Sequence, residues 1–208
     1  MLPAQYFNDR ALRDNALSEA KAGNYADAIA LFDQLLQQNP LSAADYNNRG
    51  LVHFQNHQHD EALADYNRAI DLDAELANAY DNRGNYYAHH GDLFGALLDY
   101  DMAIDLNPFS IKARINQGIT FRELKIYGRA VECFDTALQF SRLKKESIYL
   151  ERGRTHHLRG DWNCAIADYQ RAMTSIFEKE SDLSNRELTL LNQAQDWIDQ
   201  LLTPLQSA

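Results

Sequence analysis

The chain holds little from which a disulfide-braced domain, a membrane span or a nucleic-acid surface could be built. Only two cysteines, Cys133 and Cys164, occur in 208 residues, and no CxxC pair exists. A disulfide framework and a thiolate metal site are thereby excluded, and both thiols are expected to be buried in a reducing compartment, with the cytoplasm as the expected location. No apolar run approaches the roughly 18 residues that a transmembrane helix needs, so no membrane insertion is expected. Met1 to Arg10 has neither a basic start nor an apolar stretch, so no signal peptide is expected there. Bases are also scarce: 20 Lys and Arg against 30 Asp and Glu leave a net charge of −10. Phosphate neutralisation needs a basic face, so nucleic acid is not an expected partner.

The motifs of catalysis are missing too. There is no Gly-rich phosphate loop, no nucleophile elbow and no HExxH. No enzymatic activity and no cofactor are expected. Among the seven histidines, His53, His57 and His59 come nearest to a metal pattern. No cysteine or firmly placed carboxylate completes a shell around them, and His89-His90 and His156-His157 are neighbours on different helix faces. They read as neutral surface imidazoles, with no metal site expected.

What the chain does have is one stretch written twice. Tyr46-Asn47-Asn48-Arg49-Gly50 returns as Tyr80-Asp81-Asn82-Arg83-Gly84, 34 residues later. The same ruler gives a small-residue column of Ala16, Gly50, Gly84, Gly118 and Gly153. It gives an alanine column of Ala28, Ala62, Ala96, Ala130 and Ala165, and an aromatic column of Phe32, Tyr66, Tyr100, Phe134 and Tyr169. The last interval is 35, so one residue enters near Leu143-Lys144-Lys145. A fixed period of this size signals a repeat architecture in which each unit buries its face against the next. Helical spacing recurs inside each repeat, as in Ala28, Ile29, Phe32, Leu35 and Leu36.

The columns, with Pro40 and Pro108 closing repeats, resemble the tetratricopeptide repeat family over about residues 9–178. The resemblance implies an all-α, right-handed solenoid of five helical hairpins. The expected boundaries are a lead-in at 1–8, repeats at 9–42, 43–76, 77–110, 111–145 and 146–178, then a connector and capping helix at 179–208. Leu191, Ala194, Ile198 and Leu201 put one apolar stripe on that last helix, as a one-sided cap requires.

Two further patterns predict contacts. Arg49, Arg83 and Arg152 precede the small column, and the same repeats carry Asp65, Asp99 and Asp168 before the aromatic column. Repeats one and four lack both, with Asn15 and Leu31, then Gln117 and Cys133. Charges that appear and vanish together predict an Arg–Asp pair across each hairpin. Gly23-Asn24, Gly91-Asp92 and Gly160-Asp161 supply a left-handed glycine and a capping oxygen at the hairpin turn. His57 and Lys125 stand where those glycines belong, so two turns are expected to be less well specified, and the fourth repeat is expected to be the weakest joint. Trp162 and Trp197 read as packing residues.

The resemblance also implies a concave groove, lined by the first helix of each hairpin, that takes an extended peptide or a partner helix. The residues expected to face it are Asn48, Leu51, Phe54, Asn82, Asn85, Lys112, Asn116, Ile119, Arg122 and Arg154. Asn48, Asn82 and Asn116 share one column and look like the asparagine ladder of the O-GlcNAc transferase family; the alternative is that these amides only satisfy neighbouring helices. Arg10, Arg13, Lys21, Lys112, Arg122 and Arg154 against Asp14, Asp81, Glu123 and Glu151 give a groove less negative than the rest of the surface. The expected function is a non-enzymatic adaptor or scaffold binding a neutral-to-acidic segment. The alternatives are an assembly chaperone for a multi-subunit complex, as in photosystem-assembly members of the family, and a metal-responsive regulator. The basic residues expected of a chaperone-tail clamp are absent from repeats two and three, and self-association is compatible with everything above.

Overall fold

A computed structural model describes residues 4–141, 145–177 and 184–206, and every described element is an α-helix. The chain separates into an N-terminal unit, Met1–Pro108, and a C-terminal unit, Phe109–Ala208. The N-terminal unit holds α1 (Ala4–Ala22), α2 (Tyr25–Gln38), α3 (Ala43–Gln55), α4 (His59–Leu72), α5 (Ala77–His89) and α6 (Leu93–Leu106). They pack as the hairpins α1–α2, α3–α4 and α5–α6, stacked through α2 on α3 and α4 on α5. The C-terminal unit holds α7 (Ile111–Glu123), α8 (Tyr127–Phe140), α9 (Lys145–Arg159), α10 (Trp162–Phe177) and α11 (Asn185–Gln206). Here α7–α8 and α9–α10 are hairpins, and α11 packs on α10.

The core is the column pattern made solid. Phe32, Tyr66, Tyr100, Phe134 and Tyr169 are all fully buried beside their alanines. Each small residue admits the ring of its own hairpin: a Cβ on Gly84 would lie 2.7 Å from the Tyr100 ring, and one on Gly153 would lie 2.7 Å from the Tyr169 ring. Helices of 13 to 16 residues, marginal alone, are thus held by stacking. On α11 the stripe Leu191, Ala194, Ile198 and Leu201 is buried, the last three against Tyr169 and Ala172. Trp197 joins that contact, its ring centroid 5.2 Å from that of Tyr169.

All five hairpin turns have the same backbone. Gly23, Gly91 and Gly160 are left-handed as predicted, and His57 and Lys125 adopt φ of 59° and 61° in the other two. The hydrogen bonds agree: Asn24 N donates to Glu19 O, and Ile126 N donates to Phe121 O in the matching place. The fourth turn is therefore formed in the same way, with a side chain bearing the left-handed strain that glycine avoids.

Four expectations are corrected. Asn24 caps nothing with its side-chain oxygen; its Nδ2 donates to Glu19. Cys164 is exposed, and only Cys133 is buried. Trp162, the first residue of α10, is likewise exposed. The helix α1 already runs from Ala4, where a lead-in was expected. The basic run at Arg142-Leu143-Lys144 and the connector at 178–183 lie outside the described residues.

Candidate functional site

The predicted Arg–Asp pairs exist, and each arginine does more than the pattern foretold. Arg49 donates from Nε and one terminal nitrogen to both oxygens of Asp65 (2.8 and 2.7 Å), and Arg83 does the same to Asp99 (2.8 Å each). Arg152 grips Asp168 at 2.7 Å through both contacts. The remaining terminal nitrogen reaches back to the preceding hairpin: to Asp33 from Arg49, to Asn67 from Arg83, and to Asp135 from Arg152. Each guanidinium also lies over the ring three residues before it, Tyr46, Tyr80 or Tyr149. These carboxylate bonds hold the guanidiniums above their ordinary pKa against the opposing cost of burial. One residue type thus locks a hairpin and its junction with the previous one. In the fourth repeat a neutral bond replaces it, Cys133 Sγ donating to Gln117 Oε1 at 3.2 Å.

The first helices carry the predicted groove residues, and the two units treat them differently. In the N-terminal unit several are taken up by the fold. Asn82 is buried, and its Nδ2 donates 2.9 Å to Asn47 Oδ1 on α3. Asn85 Oδ1 accepts the Tyr100 hydroxyl at 2.9 Å. Arg13 closes a bidentate pair, at 2.5 and 2.7 Å, on Asp45, which is 1% exposed and also accepts the Ser42 hydroxyl. Sequence reasoning missed Asp45, although a signal was there: the same column holds Ala79 and Ala113. With Asp45 counted, the three bases of this unit's groove, Arg10, Arg13 and Lys21, stand against three acids, Asp14, Asp45 and Asp81, and Arg10 lies 4.0 Å from Asp14. Asn48, Leu51 and Phe54 remain half-buried on α3.

In the C-terminal unit Arg122 is also committed, donating 2.6 Å to Glu151 Oε2 and 3.2 Å to the Glu151 carbonyl. Lys112 and Arg154 are exposed, Asn116 and Ile119 half-buried. Between α7 and α9 lies an open cavity of about 360 Å³ walled mainly by apolar surface of Ile111, Ile115 and Ile148, with Lys112, Asn116, Ser141 and Ser147 at its edges. Two larger cavities beside Lys145, Tyr149 and Arg171 are more polar, and Arg171 there already bonds Asp168 at 2.8 Å.

A histidine cluster was dismissed from sequence and has other members than those considered. His53 turns away, its Nδ1 2.9 Å from Gln58 Oε1. His57 and His59 instead meet His89 and His90 at the end of α5, with the His59 ring centroid 5.2 Å from His89 and 4.9 Å from His90. The helix ends there, which frees two consecutive rings to turn to one side. His90 Nδ1 lies 2.7 Å from the Tyr86 carbonyl, while His59 Nδ1 is buried without a partner among the described residues. Desolvation, then the other three imidazoles, lower the His59 pKa. Among the described residues no three donors are placed to hold a metal ion.

Residues 13–77 match the tetratricopeptide repeat family. The whole fold has the same likeness: TTC0263 of Thermus thermophilus, described as a thermophilic TPR protein, superimposes with a TM-score of 0.73 at 16% identity, over 90% of this chain and 97% of its own. The chain has the tetratricopeptide repeat fold. PilF of Pseudomonas aeruginosa shares the fold at a TM-score of 0.76 and 18% identity, covering 99% of this chain and 93% of PilF. PilW, described as a widely conserved type IV pilus biogenesis factor, does so at 0.77 and 17%, covering 96% and 92%. No described helix is long and apolar enough to cross a membrane.

Proposed function

We propose that this tetratricopeptide repeat chain is a non-enzymatic binding module that seats an extended, neutral-to-acidic peptide segment on the first helices of its hairpins, with α7 and α9 as the main contact. The cavity between Ile115 and Ile148 carries the reading. It is apolar inside and has Lys112 and Asn116 at its edge, which suits one apolar side chain followed by a carboxylate. An asparagine amide both donates and accepts, so Asn116 can take a peptide backbone without selecting its side chains. Ile119 and Arg154 extend the same face within the C-terminal unit, and Arg122 acts there by fixing Glu151. In the N-terminal unit Asn48, Leu51 and Phe54 offer a smaller patch, with Asn82 and Asn85 holding the helices that present it. An exposed, unpaired Cys164 supports a reducing compartment such as the cytoplasm.

A second reading within binding is an assembly factor for a multi-subunit complex, supported by the pilus biogenesis role stated for PilW, whose fold this is. Both readings share one test. The chain and its Lys112→Glu/Asn116→Ala variant are used to capture partners from the native cell extract, followed by mass spectrometry. Loss of the partner with an unchanged helical spectrum supports the cavity as the contact. Equal capture by both chains places the contact elsewhere, and several subunits of one complex in the parent capture favour the assembly reading.

A further inference from the structure

The outer face of α6 carries three large apolar side chains in one row. Phe94, Leu98 and Met102 stand four residues apart, so they lie within one helical sector, and they are 71%, 68% and 41% exposed. Nothing in the repeat demands them. The matching places hold Asp60, Ala64 and Arg68 on α4, and Gly128, Glu132 and Thr136 on α8, in hairpins with the same buried columns. The helix packs inward through Ala96, Asp99, Tyr100 and Ala103, so the row lies opposite its own core. An apolar row that sibling helices do without marks a docking surface more than a packing need.

Charge identifies the occupant. The sequence of α6, LFGALLDYDMAIDL, has three aspartates and no lysine or arginine. Asp105 is exposed and falls in the sector of the row, and the chain as a whole carries −10. A second copy of the chain would bring the same carboxylates against this face. We propose that the outer face of α6 docks a basic amphipathic helix of another protein, whose apolar residues at i and i+4 lie along Phe94, Leu98 and Met102 while its lysines or arginines meet Asp105. The row shares no residue with the cavity between α7 and α9.

The test rewrites the row as the one that α4 carries: Phe94→Asp, Leu98→Ala and Met102→Arg together leave the net charge unchanged. Diffuse attraction of a basic peptide to an acidic protein is therefore the same for parent and variant. The probe is a fluorescent amphipathic leucine–lysine peptide, read by anisotropy in about 0.15 M salt, where exposed charges more than about 8 Å apart are screened. The parent should bind it about tenfold more tightly than the triple variant, and should not bind a leucine–glutamate peptide of the same pattern. Leu98→Glu, the residue that α8 carries as Glu132, should weaken binding severalfold and serves if the triple variant fails to fold. Equal binding by parent and folded variants overturns the proposal. So does a concentration-dependent dimer in sedimentation that the variants abolish, since a second copy would then be the occupant.

Discussion

The N-terminal and C-terminal units present the same kind of helix face and use it differently. On α3 and α5 the polar side chains bond to the protein itself: Asn82 to Asn47, Asn85 to Tyr100, and Arg13 on α1 to Asp45 on α3. On α7 and α9 an apolar cavity stays open with Lys112 exposed beside it. Two faces written in nearly the same columns thus differ in what those columns supply: buried polar bonds on α3 and α5, an apolar cavity on α7 and α9. A residue bonded inside the fold is expected to lower stability when mutated; one exposed beside the proposed cavity is expected to lower binding.

The largest effect that can break this contrast is at Arg13. Replacing it by Ala leaves the buried Asp45 carboxylate with the Ser42 hydroxyl as its one side-chain partner among the described residues, and should cost about 3–5 kcal/mol in urea unfolding. The double variant Arg13→Leu/Asp45→Ala, which installs the alanine of the sibling repeats, should recover most of the loss. If Arg13→Ala alone is neutral, the pair is not a lock and the residue returns to the list of groove bases.

Next comes Asn82→Ala, which leaves the buried Asn47 oxygen without this donor and should lower stability by about 1–3 kcal/mol. A ladder whose only role is to hold peptide would instead lose partner affinity at constant stability. Smaller still is the contrast of two tyrosines. The Tyr100 hydroxyl is bonded to Asn85, whereas the buried Tyr169 hydroxyl has no partner among the described residues. Tyr100→Phe should cost about 0.5–1.5 kcal/mol, and Tyr169→Phe should be neutral or stabilising in the same denaturant series. Equal losses would mean that the hydroxyl at 169 is satisfied in solution.

The last contrast is with pH. His59 has a folded pKa below its unfolded value near 6.5, because burial and His57, His89 and His90 all oppose its charging, with Asp60 pulling weakly the other way. Between the two values the unfolded chain binds more protons, so stability falls as pH drops through about 6.5 and the loss is complete below the folded pKa. The melting temperature of the parent should therefore fall more between pH 7.5 and 5.5 than that of His59→Gln. His156, also lowered mainly by burial, keeps a share of the slope in the variant. Identical pH slopes for both chains would remove the cluster from the account.

The sequence exposed what recurs. The aromatic column, the small column and the Arg–Asp pairs each repeat at a fixed interval, and each appears in the fold as read. The capping stripe was also legible, because Leu191, Ala194, Ile198 and Leu201 follow helical spacing. What occurs once was hidden. Asp45 meets Arg13 across 32 residues, and His59 meets His89 and His90 across the whole of α4, a turn and α5. Neither follows from a period, because each depends on how one side chain turns at one junction. The third bond of each clasp was missed for a related reason: its acceptor column, Asp33, Asn67 and Asp135, changes residue type from repeat to repeat. The exposure of Cys164 and Trp162 belongs to the non-recurring residues as well, since helical spacing places a column on a face but does not say how far the outer turn is covered.

The proposed contact is tested most directly by site-specific photocrosslinking in the native extract. A benzophenone amino acid is placed at Lys112 beside the α7–α9 cavity, and in separate chains at Asn48 on α3 and at Leu158 on the outer end of α9. The account predicts that one partner is captured strongly from position 112, weakly from 48 and not from 158. Capture from 48 or 158 that equals or exceeds capture from 112 would contradict it.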